Sequence, residues 1–270
     1  MKKFMQYFTI SLVLVFMSWL IFTNENDLFT GSGKSDFEVQ VYERLVNHDN
    51  IQEAHLEMNI TAGKISLNAE STSLLEANVR YFDEEGKPEY SEQISSNNIV
   101  RMNLSENRQN SSVNLTNRRN TPEWNVMVRP DVISNFDIAV GAGDIDIDLS
   151  ATQVSTFNLS TGAAQANVNL SNSLVSELEI KTGIGAVTLD VSGNRINDLT
   201  AKVQGGLGAL TLIVPEDVGV RVSATGLGHV SARGFNRERG SYKNDLWGKS
   251  DYSIDVSVSA GIGSVTVLSK

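Results

Sequence analysis

Seven copies of one short pattern dominate the chain: alternating apolar residues, a tight glycine turn around one small or apolar residue, then more alternating apolar residues. The complete copies are centred on Ala142, Ile184, Leu207, Leu227 and Ile262. The copy at Ala163 lacks the second glycine, and the copy at Ala62 lacks the first. A repeat of about twenty residues predicts a stacked, solenoid-like β protein. It also assigns the glycines to turns and removes them from the catalytic candidates.

The copies align column by column when the residue between the glycines is taken as the origin. Three places after the origin every copy is apolar, with Ile65, Ile145, Ala166, Val187, Leu210, Val230 and Val265. Alternation on both sides of the turn predicts two strand arms, each with one buried face. The apolar residues lie at even offsets before the origin and at odd offsets after it. The alternation therefore shifts by one residue across the glycines, as a bulge or tight corner requires. In the copy at Leu227 the preceding alternation is one place out of phase, which predicts a bulge just before Gly226.

The spacing of the copies predicts where other elements lie. The origins from Ala142 to Leu227 are 20 to 23 residues apart, whereas 35 residues separate Leu227 from Ile262 and leave an insertion at 233–249. Between Ala62 and Ala142 the alternation predicts additional strands, at 75–81, 99–104, 113–115 and 124–128. Helix signals are weak after residue 52. Residues 37–47 have a spacing that suits a short helix or a strand.

The first 23 residues differ from the rest of the chain. Lys2 and Lys3 precede an apolar run at 4–22, about 28 Å long as a helix, which is close to the ~30 Å hydrocarbon core. Lysines before the run and acids after it place the N-terminus in the cytoplasm. The run is either a cleaved signal or an anchor, and its poor cleavage sites favour the anchor. The expected organisation is a transmembrane anchor at 1–23, a tether at 24–51 and an all-β domain at 52–270.

Composition excludes several classes of function. The chain has no cysteine, which excludes a disulfide framework, a thiolate metal site and a cysteine nucleophile. Its formal net charge is −10, and an acidic body is poorly suited to nucleic acid binding. The expected location is the cell membrane, with one span and an extracytoplasmic C-terminal domain.

Residues 124–149, from Trp124 through the Val-Gly-Ala-Gly turn to Leu149, resemble the toast-rack family of bacterial envelope proteins. The later copies at 159–170, 180–191 and 256–267 continue the similarity, which covers about residues 52–270. The family is related to the C-terminal domain of LiaF-like membrane proteins. This resemblance implies an all-β solenoid of parallel stacked rungs with a single strand to each rung, and a link to envelope stress responses. It implies no catalytic residues. The chain departs from LiaF itself in having one hydrophobic span.

Candidates for chemistry have simpler structural interpretations. Asp144, Asp146 and Asp148 alternate on one strand face and could bind calcium, but the other copies do not repeat them, which favours a solvated face. The glycine turns lack the third glycine and the following helix of a dinucleotide site. The three histidines lack zinc-ligand spacing. We therefore predict no enzyme activity, no cofactor and no metal.

The insertion at 233–249 is the strongest candidate for a contact surface. Five basic residues against Glu238 and Asp245 give it a net charge of +3 on an acidic body, and it contains two aromatic residues. Arginine and aromatic side chains are common at protein interfaces. The candidate contact residues are Arg233, Arg237, Arg239, Tyr242, Lys243 and Trp247. The alternative interpretation is a solvated loop that covers one edge of the solenoid.

Two functions remain open from the sequence. One is a non-enzymatic, membrane-anchored protein that senses or modulates envelope stress through an envelope or sensor protein partner. The other is an adhesin or a module that binds cell-wall polysaccharide or peptidoglycan. The second would use aromatic residues along one solenoid face, and the repeats carry few.

Overall fold

The computed structural model describes residues 39–82, 86–107 and 121–270. All described residues belong to one compact unit, Phe37–Lys270. The expected anchor at 1–23 and the strand predicted at 113–115 lie outside the described residues. Among those described, no helix is long and apolar enough to cross a membrane.

The described residues fold into strands that form one sheet, which confirms the all-β prediction. The strands are β1 (Gln40–Val46), β2 (Glu53–Asn68), β3 (Leu75–Tyr81), β4 (Pro88–Ile94), β5 (Ile99–Glu106), β6 (Glu123–Val128), β7 (Ile133–Asp148), β8 (Val154–Asn169), β9 (Glu177–Asp190), β10 (Leu199–Val214), β11 (Gly219–Ala232), β12 (Asn236–Glu238), β13 (Ser241–Lys243) and β14 (Ser253–Ser269). The strands predicted near 75, 99 and 124 are therefore β3, β5 and β6.

β1 corrects one expected boundary. It lies inside the segment predicted to be a tether, 24–51, yet it pairs with β3 from Gln40 opposite Tyr81 to Val46 opposite Leu75. Val46 is buried in the core. The folded part of the chain therefore begins before residue 52, because residues 40–46 pair with β3 as an edge strand of the sheet.

Each repeat copy is one long strand that passes through the glycine turn, so we call the part before the turn the first arm and the part after it the second arm. The seven long strands are parallel, and their origins pair in a continuous row in the order Ala62, Ala142, Ala163, Ile184, Leu207, Ile262 and Leu227. Residues that occupy the same position in the aligned copies are thus paired in the sheet. The out-of-phase copy has its irregularity between Gly226 and Leu227, one place beyond the predicted position.

Close stacking of the rungs explains the glycines at the corner. A Cβ on Gly141 would overlap the backbone carbonyl of Thr61 in the neighbouring rung, and the same holds for Gly162, Gly183, Gly206 and Gly261 against their own neighbours. Gly143 also has a φ of 147°, which L side chains rarely adopt.

The core lies between the two arms and the short links that join successive rungs. The largest fully buried side chains are Trp124 and Phe157, and the latter ring lies 6.4 Å from that of Phe136. Around them the inward columns of aliphatic side chains are buried as the alternation predicts. Each such side chain contributes about 1.5–3 kcal/mol of hydrophobic stabilisation before conformational entropy is deducted.

The order of the last three rungs differs from their order in the chain. β14 lies between β10 and β11 and pairs in parallel with both. The C-terminal strand therefore completes the interior of the stack, and β11 becomes the terminal rung. The insertion, which leads from β11 to β14, is consequently at the end of the stack.

Candidate functional site

The predicted contact insertion forms a small hairpin at this end of the stack. β13 pairs antiparallel with β11, opposite residues 221–223, and β12 pairs antiparallel with β13. Arg239 and Gly240 make the two-residue turn, with φ values of 47° and 87°. Two consecutive positive φ values define a type I′ turn, whose twist suits a hairpin. The hairpin covers the first arm of β11, as the edge-cover interpretation of the insertion expected.

Hydrogen bonds between the Asn244 side chain and the backbone at residues 218–220 hold the hairpin against its rung. The Asn244 Oδ1 accepts the backbone N–H of Val220 at 2.9 Å, and its Nδ2 donates to the carbonyl of Val218 at 2.7 Å. The Ser250 hydroxyl accepts the N–H of Gly219 at 2.7 Å. These contacts hold the insertion against the sheet as part of the folded unit.

Arg221 connects the hairpin to the rung behind it. Its guanidinium forms a two-point ion pair with Asp255 of β14, with Nε donating to Oδ1 at 2.8 Å and Nη2 donating to Oδ2. These hydrogen bonds raise the pKa of Arg221. The same guanidinium lies 4.7 Å from the centre of the Trp247 ring. Arg221 is therefore a residue of the candidate site that the sequence did not reveal, since a lone arginine in a strand carries no pattern.

The six predicted contact residues separate into two groups. Four contact other side chains, three of them within the hairpin: Arg237 lies 5.7 Å from the Tyr242 ring centre, and Lys243 pairs with Glu238 at 2.8 Å. That ion pair lowers the pKa of Glu238. Trp247 is stacked by Arg221. Arg233 and Arg239, in contrast, are exposed and have no side-chain partner among the residues that the structure describes.

The opposite end of the stack is closed by a second polar cluster. Arg44 of β1 lies 4.5 Å from the centre of the Tyr90 ring, and the Tyr90 hydroxyl donates to Glu92 at 2.7 Å. His48 lies 3.2 Å from the same carboxylate. The hydrogen bond from Tyr90, followed by that from His48, holds the pKa of Glu92 below its usual value, while burial raises the pKa of Tyr90. The cluster joins β1 to β4 and has the character of a cap.

Two open grooves lie on the surface of the stack. One, of about 890 Å³, follows the glycine turns and is lined by backbone and by polar side chains such as Asn59, Lys181 and Gln204. The other, of about 800 Å³, lies on the first arms and is lined by Glu53, Glu57 and other polar residues. Among the described residues of these two linings, the only Phe, Tyr or Trp side chain is Phe136, which is buried. Within the described part of the chain, neither groove therefore presents a Phe, Tyr or Trp ring on which a sugar could stack.

The candidates for metal binding lie where the strand alternation predicts. Asp144, Asp146 and Asp148 are exposed on the outer face of β7 and pair with Gln165, Asn167 and Asn169 of β8. Within the described ranges, no group of three or more His, Asp or Glu residues could hold a metal ion.

Comparison with known proteins identifies the architecture. A family model described as the N-terminal domain of toast_rack, DUF2154, matches residues 34–177 and 156–213. A comparison with curated proteins finds no match. A solved structure named as a "putative cell adhesion protein" from Clostridium sporogenes is 25% identical with a TM-score of 0.64, covering 86% of this chain and all of that one.

Two other solved structures are less similar. A "putative adhesin" from Bacteroides fragilis is 11% identical with a TM-score of 0.29, covering 86% of this chain and 97% of that one. A "putative lipid binding protein" from Parabacteroides distasonis is 8% identical with a TM-score of 0.31, covering 86% and 98%.

Proposed function

The chain belongs to the toast-rack family, and from that premise we propose that it is a membrane-anchored, extracytoplasmic protein without enzymatic activity. It acts through protein–protein contacts in sensing or modulating cell-envelope stress. One observation carries the proposal: a basic, aromatic hairpin is fixed at one end of an acidic stack. Rigid presentation of arginine and aromatic side chains is characteristic of interaction surfaces.

Affinity capture of the full chain from solubilised envelopes tests the contact role. We expect a discrete envelope or sensor protein to be recovered, and its recovery to fall when Arg233 and Arg239 are both replaced by glutamate. The matched control replaces Lys181 and Lys202, exposed lysines on the outer face of β9 and β10, by glutamate. Equal recovery with both double variants, together with no envelope-stress phenotype on deletion, would contradict the proposal.

Cysteine labelling tests the location directly, because the natural chain has no cysteine. Ser91 is exposed on β4, and Val256 is fully buried in β14. In intact cells, a membrane-impermeant maleimide should label a Ser91→Cys variant but not a Val256→Cys variant. Labelling of Ser91→Cys only after the cells are lysed would place the domain in the cytoplasm.

The second candidate function is adhesion or cell-wall binding. The similarity to the Clostridium sporogenes structure favours it, since the whole of that chain is covered. Under this alternative the protein co-sediments with purified cell wall. Failure of the protein to sediment would rule out cell-wall binding. If it sediments and charge reversal in the hairpin has no effect, the cell wall binds another face of the stack.

A further inference from the structure

The terminal rung has one arm without a neighbour. β11 pairs with β14 along its length, but β13 covers its other side only at residues 221–223. Among the described strands, none pairs with the outer side of residues 227–232. We call these six residues the open edge.

The open edge lacks the prolines and charged residues by which proteins block strand addition, and a register irregularity precedes it between Gly226 and Leu227. β4, an edge strand at the opposite end, begins with Pro88 and carries Glu89 and Glu92, while β12 is three residues long with two charges. Such prolines, charges and short lengths keep edge strands from pairing with other chains. The open edge reads Leu-Gly-His-Val-Ser-Ala, with no proline, lysine or acidic residue.

The core is also incompletely covered beside the open edge. Five apolar residues at this end are only partly buried although they pack against the core: Ala224, Val230, Ala232, Phe235 and Tyr242. Terminal repeats of stacked proteins normally carry a cap. Here β13 and β12 extend the first-arm wall two strands beyond β11, and among the described residues nothing extends the second-arm wall. The resulting notch is about 9.5 Å deep, or two strand spacings.

The charge around the notch specifies the chemistry of an occupant. Residues 233–249 carry a net charge of +3 in a chain of net charge −10. Arg233 follows the open edge directly, and Arg239 lies at the hairpin tip, both without side-chain partners among the described residues. An acidic segment would be attracted to this end, whereas the rest of the body would repel it.

We propose that the open edge is a strand-addition site for an extended acidic segment of a partner protein. Backbone hydrogen bonds to residues 227–232 supply the pairing, and alternate apolar side chains of the partner cover Val230 and Ala232. Acidic side chains of the partner meet Arg233 and Arg239. The proposal deepens the proposed function, because it rests on the same protein–protein contacts and names where they form.

A second copy stacked end to end fits this edge less well. In the described part of the chain, the first-arm wall has eleven strands, from β4 to β12, and the second-arm wall has ten, from β1 to β11. Pairing the open edge with β1 of another copy would therefore make the first-arm walls overlap by one strand, about 4.8 Å. This mismatch favours a partner that supplies an isolated strand.

Peptide binding to the full chain in detergent micelles tests the site. The probe is a nine-residue peptide that alternates valine with glutamate, and its control has lysine in place of every glutamate. We expect the glutamate peptide to bind at least tenfold more tightly and to slow amide hydrogen exchange at 227–232. Val230→Lys, which puts a charge at the partly open core, should weaken binding at least tenfold. Lys202→Glu, a charge reversal away from the notch, should leave it unchanged.

The outcomes separate the alternatives. Equal binding of the two peptides, or no slowing of exchange at 227–232, overturns the proposal. A dimer that Val230→Lys dissociates would assign the edge to a second copy and also overturn it. If Val230→Lys fails to fold, Arg239→Glu provides the same comparison from the exposed rim. Peptide binding at the edge without recovery of any envelope protein would refute the proposed function while leaving the site intact.

Discussion

Leu207 of β10 lies opposite Ile262 of β14, although Leu227 is the next copy of the repeat along the chain. The C-terminal strand is thus inserted between two rungs that precede it. This arrangement gives β14 a neighbour on each side and leaves β11 as the terminal rung with its second arm uncovered. Because β14 lies between β10 and β11, the basic hairpin that follows β11 lies at the end of the stack.

Engineered disulfides test the strand order without interference, because the natural chain has no cysteine. Adjacent strands are about 4.8 Å apart, within the range that a disulfide bridges, whereas β10 and β11 are two spacings apart. The pair Leu207→Cys with Ile262→Cys should therefore cross-link on oxidation. The pair Leu207→Cys with Leu227→Cys should not, and cross-linking of this second pair, read by mass spectrometry, would contradict the strand order.

Two neighbouring glycines in β10 should differ sharply in their tolerance of alanine. A Cβ on Gly206 would overlap the carbonyl oxygen of Gly183, whereas one on Gly205 would make an ordinary contact of 3.6 Å with Thr182. Gly206→Ala should lower the free energy of unfolding by about 2 kcal/mol or more through backbone displacement. Gly205→Ala should raise it by about 0.4–1 kcal/mol, because alanine restricts the unfolded chain. Urea unfolding measures both, and equal costs would refute the stacking explanation of the turns.

The hairpin tip should show a conflict between stability and binding. Arg239 has a φ of 47°, a conformation in which arginine is disfavoured and asparagine is common in type I′ turns. Arg239→Asn should therefore raise the free energy of unfolding by about 0.5–1 kcal/mol. The same change should weaken binding of the acidic peptide, since a charge is lost. A variant that is more stable and binds unchanged would show that Arg239 does not contact the partner.

The cap at the opposite end should make stability depend on pH. Because hydrogen bonds from Tyr90 and His48 lower the folded-state pKa of Glu92 from the usual 4.5, the unfolded state binds the proton more readily. The stabilisation is complete above pH 4.5 and is lost as the pH falls through the lowered pKa. Glu92→Gln should reduce the loss of unfolding free energy between neutral pH and about pH 3. An unchanged pH dependence would show that the cluster contributes nothing.

The sequence predicted the register of the sheet but not the order of its strands. The glycine turns mark one position in each rung, so aligning Ala62 with Ala142 and the later origins was enough to find the pairing. Every inward column is apolar, however, and any rung could lie beside any other. The choice of β14 as the neighbour of β10 depends on non-local packing that no local pattern encodes.

The sequence predicted those residues of the candidate site that interrupt the repeat, and it did not reveal those that conform to the strand alternation. The insertion was visible because it lengthens one repeat and concentrates arginine. Arg221 and its partner Asp255 each occupy an ordinary outward position in a strand, and only the strand order brings them together. The links between rungs also repeat, since Ala151, Asn172 and Gly193 all have positive φ. The sequence Asp/Asn-Leu/Val-Ser recurs before each of them and could have predicted these links.

Amide hydrogen exchange at residues 227–232 tests most directly whether the terminal rung is a binding edge. In the free protein we expect the open edge to exchange much faster than the second arm of β14, which has a neighbour on each side. Addition of the glutamate peptide should slow exchange at the open edge and leave β4, an edge strand at the other end, unchanged. Slow exchange at 227–232 in the free protein, or slowing at both ends alike, would contradict the account.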